Sequence, residues 1–201
     1  MVKIFCVNTK TSRTFPEGTT LLEMLPAFEQ DFEHPYPILA ARVNNVCQGL
    51  KYRAFNSRQV EFLDYTTYLG RIVYCNSLCF LLCKATRDLY PEARVVLRRP
   101  ISKGYFCSID LGGGAAPDAA SLEAIICRMK EIVEADMLFR RHEVLAEEAV
   151  EIFRRMGYED KVKLIETSGD VYVNYYTLDG TPDYYYEALL PSTGYMKVWS
   201  L

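Results

Sequence analysis

The sequence predicts an α+β protein of two consecutive modules, and three observations carry that prediction. Over residues 1–65, hydrophobic patterning reads as strand, strand, helix, strand, strand, the makings of a small sheet crossed by one helix. Around TTYLGR, residues 66–71, the pattern turns helical. From there, over residues 70–201, helices and strands alternate with no internal repeat and no low-complexity segment.

In the first module, VKIFCV at residues 2–7 alternates as a strand does, and residues 12–15 supply a hairpin partner. In PEGTTLLEML, Thr19 or Thr20 can cap a helix whose apolar positions are Leu21, Leu22 and Leu25, with Pro26 near its end. FEQDFEHPYP is a loop closed by two prolines. ILAARVNNVCQGL gives a strand, an Asn44–Asn45 turn and a short strand, and RQVEFLDY a last strand.

In the second module, a helix runs from Arg71 to Leu89 and stops before Pro91. RVVLRRP and SKGYFCSID read as two strands, and GGGAAPD as a flexible connection. Residues 120–135 form an amphipathic helix with Leu122, Ile125, Ile126, Met129 and Val133 on one side. FRRHEV is a strand, and AEEAVEIFRRMG a helix ending at Gly157. KVKLIE, VYVNYYTL and the final YMKVWSL are read as strands. A chain that stops on an aromatic, strand-like segment is expected to be a piece of a longer protein.

Bulk properties narrow the function classes. Half of the 201 residues are hydrophobic, enough for a substantial core. The net charge of -3 gives no global attraction to nucleic acid or anionic membrane, although a local basic patch is compatible with it. No apolar run approaches the roughly 20 residues a spanning helix needs, and the N-terminus lacks a signal peptide's apolar core. The expected location is therefore cytoplasmic, with no membrane partner. The seven cysteines include no CxxC pair, and reduced thiols are expected there.

Two stretches carry a resemblance. PEGTTLLEML with ILAARVNN resembles the TGS domain, a β-grasp module at the front of threonyl-tRNA synthetases. LCFLLCKATRDLYPEARVVLRRPISKGYFCSID, and then RMKEIVEADMLFRRHEVLAEEAVEIFRRMGYEDKVKLIE, resemble the second additional domain of those enzymes, which edits misacylated tRNA. The resemblance implies a TGS-like β-grasp domain over residues 1–65 and an editing-like α+β domain over 70–201. It also implies where chemistry should reside, in an HxxxH and a CxxxH motif. Residues four apart on a helix stand one turn above each other, so two imidazoles can converge on one metal or water. Anchored on LLCKATRDLYP, the two histidine positions fall on Asn76 and Phe80. Anchored on Pro191 in DYYYEALLPSTGYMKVW, the Cys and His positions fall on Tyr185 and Leu189. All four are replaced. Asn is a poor zinc ligand, Phe and Leu hold neither metal nor proton, and neutral Tyr does not activate water near pH 7. The expectation is a degenerate site with no catalytic residue, no metal and no cofactor in this chain.

Cys75, Cys79 and Cys83 in YCNSLCFLLC invite a metal or redox reading. On a helix, Cys75 and Cys83 lie about 12 Å apart along the axis, too far to share an ion. Cys75 and Cys79 are rotated about 100° from Asn76 and Phe80, away from the inferred cleft. Buried structural thiols are the favoured reading.

Arg94, Arg98, Arg99 and Lys103, with Arg140 and Arg141, are candidate contacts to nucleic acid or phosphate, weighed against a solvated outer sheet face, which the acidic whole favours. Tyr172, Tyr175, Tyr176, Tyr184, Tyr185 and Tyr186 could stack on bases; interface packing is favoured. LGGGAAPD lacks the lysine and hydroxyl of a Walker loop. His34 and His142 belong to neither motif, and Glu147 and Glu148 read as helix-start carboxylates.

A second resemblance supplies a context. Certain bacterial uridine (nucleoside) kinases are similar in carrying this pair of modules ahead of a P-loop domain. It implies an accessory or regulatory region binding a ligand, RNA or the downstream kinase domain. ATP and Mg would belong to that kinase domain, beyond Leu201. The alternatives are an aminoacyl-tRNA editing hydrolase and a free-standing RNA-binding module.

Overall fold

The computed structural model describes residues 1–101 and 104–201, with side chains described outside 99–101. In β1 (Val2–Cys6) the alternation turns Val2, Ile4 and Cys6 inward. It forms the expected hairpin with β2 (Thr11–Phe15). The two-residue strand β3 (Thr19–Thr20) leads into a helical region that the sequence reading took as one helix. Thr20 and Glu23 form a reciprocal capping box at α1 (Leu21–Met24). Pro26 then opens a second short helix, α2 (Pro26–Glu29), because a proline lacks the N–H to continue one helix but suits the first turn of the next. β4 (Ala40–Val43) and β5 (Val46–Gly49) are joined by Asn44 and Asn45, both left-handed (φ 45° and 71°), the conformation a tight hairpin turn demands. β6 (Arg53–Ala54) pairs with β3, and β7 (Arg58–Leu63) completes the sheet. The order is β2-β1-β7-β4-β5, with β1 and β7 parallel and the other pairs antiparallel. Phe28, Leu21 and Met24 from the short helices close one face of it over Ile4, Val60 and Phe62.

The long helix α3 (Tyr68–Leu89) starts three residues earlier than the sequence suggests. Thr67 caps it, its Oγ1 accepting from the Gly70 backbone N–H at 3.0 Å. Gly70 is required: a Cβ there would stand 1.9 Å from the Asp64 carbonyl oxygen. Replacing it forces this joint between β7 and α3 apart. Gly70→Ala is expected to lower stability by about 2–4 kcal/mol, read as a fall in urea midpoint with the slope unchanged.

Next come the antiparallel hairpin of β8 (Arg94–Ile101) and β9 (Gly104–Asp110), then α4 (Ala119–Glu134), capped by Asp118. β10 (Phe139–Leu145), α5 (Ala146–Arg155), α6 (Glu159–Ser168), β11 (Tyr172–Leu178) and β12 (Thr181–Asp183) follow. Strands β10, β11 and β12 form one antiparallel sheet.

Two expectations are corrected. KVKLIE is helical, inside α6, since its buried residues Val162 and Ile165 are three apart and Gly169 (φ 74°) ends the helix in the left-handed conformation. YMKVWSL forms no strand. Thr193–Tyr195 is a single 3-10 turn tied to α4 by Thr193 Oγ1 donating to the Ile132 carbonyl at 2.7 Å. Tyr74 Oη on α3 then holds Val198 by donating to its carbonyl.

The assembly is α+β. Its largest core gathers α3, α4, β10, β11 and residues 188–190, and it includes Leu39 and Ala40 at the start of β4. The first sheet and the second module therefore share packing. A smaller core joins α5 and α6 to β11 through Phe153, Ile165 and Tyr175. Among the described residues no helix is long and apolar enough to cross a membrane.

Candidate functional site

The positions that the resemblance marks lie on two elements packed side by side. Asn76 and Phe80 stand one turn apart on α3; Tyr185 and Leu189 lie on the irregular segment after β12. A buried hydrogen bond fixes the two elements together. The Leu190 backbone N–H donates to Ser77 Oγ at 2.9 Å, and that hydroxyl donates to the Val73 carbonyl at 2.8 Å. As a result Phe80 meets Tyr185, ring centroids 5.6 Å apart, with Phe139 on the other flank at 5.7 Å. Phe80 is fully buried and Leu189 nearly so; Asn76 is half-buried. Two positions from motifs about 100 residues apart in sequence thus come into ring contact.

Chemically, this contact is a hydrophobic plug. Burial raises the Tyr185 phenol well above its ordinary value, and the neighbouring Cys83 and Cys79 thiols push the same way, so it stays protonated. The four positions offer an amide, a phenol and two hydrocarbon side chains, a donor set that does not fit zinc.

Cys79 and Cys83 are buried and Cys75 is half-buried, with all three thiols free. Burial raises the Cys79 thiol to about 12, with Cys83 and Cys107 adding to it, and raises Cys83 as well. They are protonated, unreactive thiols at neutral pH. Among the described residues, no group of three or more His, Cys, Asp or Glu side chains could hold a metal ion.

Sequence reasoning missed the polar group beside this plug. Lys161, in the first turn of α6, pairs with the buried carboxylate of Asp183 at the end of β12. Burial pushes the Lys161 ammonium down to about 8; Cys83 and Asp160 oppose that, and Arg87 adds to it. The Arg87 guanidinium from α3 lies 4.1 Å from the Tyr158 ring centroid, and Lys161 5.2 Å from it. Two hydroxyls on these same elements, Thr86 Oγ1 and Tyr158 Oη, are buried with no hydrogen-bond partner among the described residues. The signal was available only to a helical reading of KVKLIE. Read as a strand, that segment gave Lys161 no particular neighbour.

The described basic candidates lie on two sheets. Arg94 and Arg98 are exposed on β8, while Arg140 and Arg141 are exposed on β10, in a different sheet. Lys103, and the side chain of Arg99, lie outside the described residues. Arg98 Nε donates to Ser108 Oγ at 3.2 Å and Arg141 Nε to Asn174 Oδ1 at 3.1 Å. The tyrosines split between roles: Tyr175 and Tyr176 face opposite cores, while Tyr172 and Tyr186 are exposed. His34 bonds the Tyr36 carbonyl; His142 stacks on Tyr175 at 4.8 Å and bonds Thr177 Oγ1. Glu147 and Glu148 occupy the first turn of α5.

With this geometry in hand, comparison with known proteins defines a class. No family model matches the chain. It is similar over almost its whole length to threonine–tRNA ligases. One from Desulforamulus reducens is 29% identical over 198 residues, 98% of this chain and 30% of that protein. One from Symbiobacterium thermophilum is 30% identical over 190 residues, 94% of this chain and 29% of the relative. One from Azobacteroides pseudotrichonymphae is 26% identical across all 201 residues. The chain spans about 30% of the length of the curated relatives it matches. The similarity supports a region of the threonyl-tRNA synthetase TGS and editing kind.

Proposed function

We propose that this chain is a synthetase-related accessory module: a TGS-like β-grasp domain over residues 1–65 joined to an editing-like domain over 70–201 that has lost its hydrolytic chemistry. The contact of Phe80 with Tyr185 carries this reading. A hydrolytic centre needs groups that polarise water or take its proton. The positions reserved for them by the resemblance are filled by two packed rings, a buried leucine and an amide. Such a module serves by binding a ligand, RNA or a partner domain of its own polypeptide. The finer context is an accessory region ahead of a uridine (nucleoside) kinase domain that binds ATP and Mg. It rests on resemblance and on the replaced ligand positions, and sequencing the reading frame past Leu201 tests it: a P-loop there supports it, a class II synthetase core overturns it.

A second reading has its own support. Relatives of this chain include threonine–tRNA ligases, and Lys161, lowered by burial to about 8, becomes a proton acceptor as pH rises through that value. This is the aminoacyl-tRNA editing hydrolase. Deacylation of mischarged tRNA separates the two: no release above the buffer rate is expected for the accessory module, whereas turnover abolished by Lys161→Met is the hydrolase result.

A further inference from the structure

A cavity that shares Tyr185 with the plug opens between the modules. It lies between the β4–β5 turn and the surface formed by β10, β11 and the segment after β12, and its volume is about 360 Å³. That is the range of small-ligand sites. A smaller extension of about 100 Å³ continues along the same boundary through Gln48, Arg141 and Tyr176.

We propose that this cavity is a nucleotide-binding site, taking a planar heteroaromatic base that carries a phosphate. Four kinds of side chain converge there. The amides of Asn45, Gln48 and Asn174 provide donors and acceptors suited to a base edge. The Glu187 carboxylate adds an acceptor for a base N–H. Arg141 brings the positive charge, and its Nε bond to Asn174 steadies the guanidinium while its terminal nitrogens make no hydrogen bond to a described residue. The fourth element is Tyr186. It lines the cavity yet is 90% exposed, an aromatic ring left uncovered where a base can stack. Aromatic, amide and guanidinium groups together suit a nucleotide better than an apolar ligand, for which the polar lining would go unpaired.

Tyr185 is shared between the cavity lining and the contact with Phe80, but the contacts proposed for Asn45, Gln48, Asn174, Arg141 and Tyr186 use neither Phe80 nor Asn76, so nucleotide binding is tested apart from hydrolysis. One ligand chemistry here has two sources, a free nucleotide or the end of an RNA strand. Calorimetric titration of the full chain with AMP, GMP, CMP and UMP is the test, with ribose 5-phosphate as a base-less control and a 5′-phosphorylated trinucleotide as the RNA arm. Saturable binding of at least one nucleotide is expected, with ribose 5-phosphate much weaker. Tyr186→Ala should weaken that binding by about tenfold, while Tyr186→Phe retains it. Arg141→Gln should weaken nucleotides more than the corresponding nucleosides. Tighter binding of the trinucleotide assigns the site to RNA; equal or weaker binding assigns it to a free nucleotide. Both altered side chains are exposed, so the variants should fold. Absence of saturable binding in both arms, or binding that neither Tyr186→Ala nor Arg141→Gln changes, overturns the proposal.

Discussion

Phe80→Ala should lower stability by about 3–5 kcal/mol, because the ring is fully buried against Phe139 and Tyr185 and its removal leaves a cavity. Phe80→Leu, which keeps most of the volume, should lose less than about 2 kcal/mol. The comparison matters for function as well as folding. If Phe80 were a casual occupant of an open catalytic cleft, its truncation would leave a solvated space and a small effect. Urea unfolding of the two variants reads the difference. A loss under about 1 kcal/mol for Phe80→Ala would contradict the packed-plug description.

Asp183→Ala should be nearly as damaging, by about 3–5 kcal/mol at neutral pH, since it strands the Lys161 ammonium in a mostly buried position without its carboxylate. The sign of the pH effect follows from the shift of Lys161 from 10.5 down to about 8. Between those values the unfolded chain binds the extra proton, so this group's contribution to stability rises with pH across that window and is at its most unfavourable below it. Once Lys161 is neutral, the Asp183 carboxylate has no cation to pair with. The penalty of Asp183→Ala should therefore shrink between pH 7 and pH 10. An equal penalty at both values would mean that Lys161 stays charged in the fold.

Much of the architecture could be read from the chain alone, for identifiable reasons. The alternation in VKIFCV and the Asn44–Asn45 turn are local signals that the structure keeps; on α4 it buries Ile125 and Met129 as expected, together with Ile132, and leaves Leu122, Ile126 and Val133 half-buried. The misreadings came where local signals were ambiguous. KVKLIE alternates in charge as a strand does, but Val162 and Ile165 are buried on a helical spacing. The segment around Pro26 looked continuous until the proline's geometry divided it. YMKVWSL has strand composition but pairs with no strand among the described residues; Tyr74 holds its Val198, and the preceding turn is tied to α4 by the Thr193 hydroxyl.

The candidate site was half legible. Register with a known family put Asn76, Phe80, Tyr185 and Leu189 forward, and Phe80 and Tyr185 do meet. Lys161, Asp183 and Arg87 were invisible, since they come from α6, β12 and α3 and only tertiary packing unites them. The cavity beside Tyr186 was hidden for the same reason: its amides and its arginine belong to different modules.

The most direct measurement is the rate at which purified chain releases amino acid from mischarged tRNA, with a threonine–tRNA ligase as the active control. The account predicts a rate equal to that of buffer, unchanged by added zinc and unchanged in Lys161→Met. Release at a catalysed rate that Lys161→Met or Asp183→Ala removes would contradict it and make the cleft a working editing site.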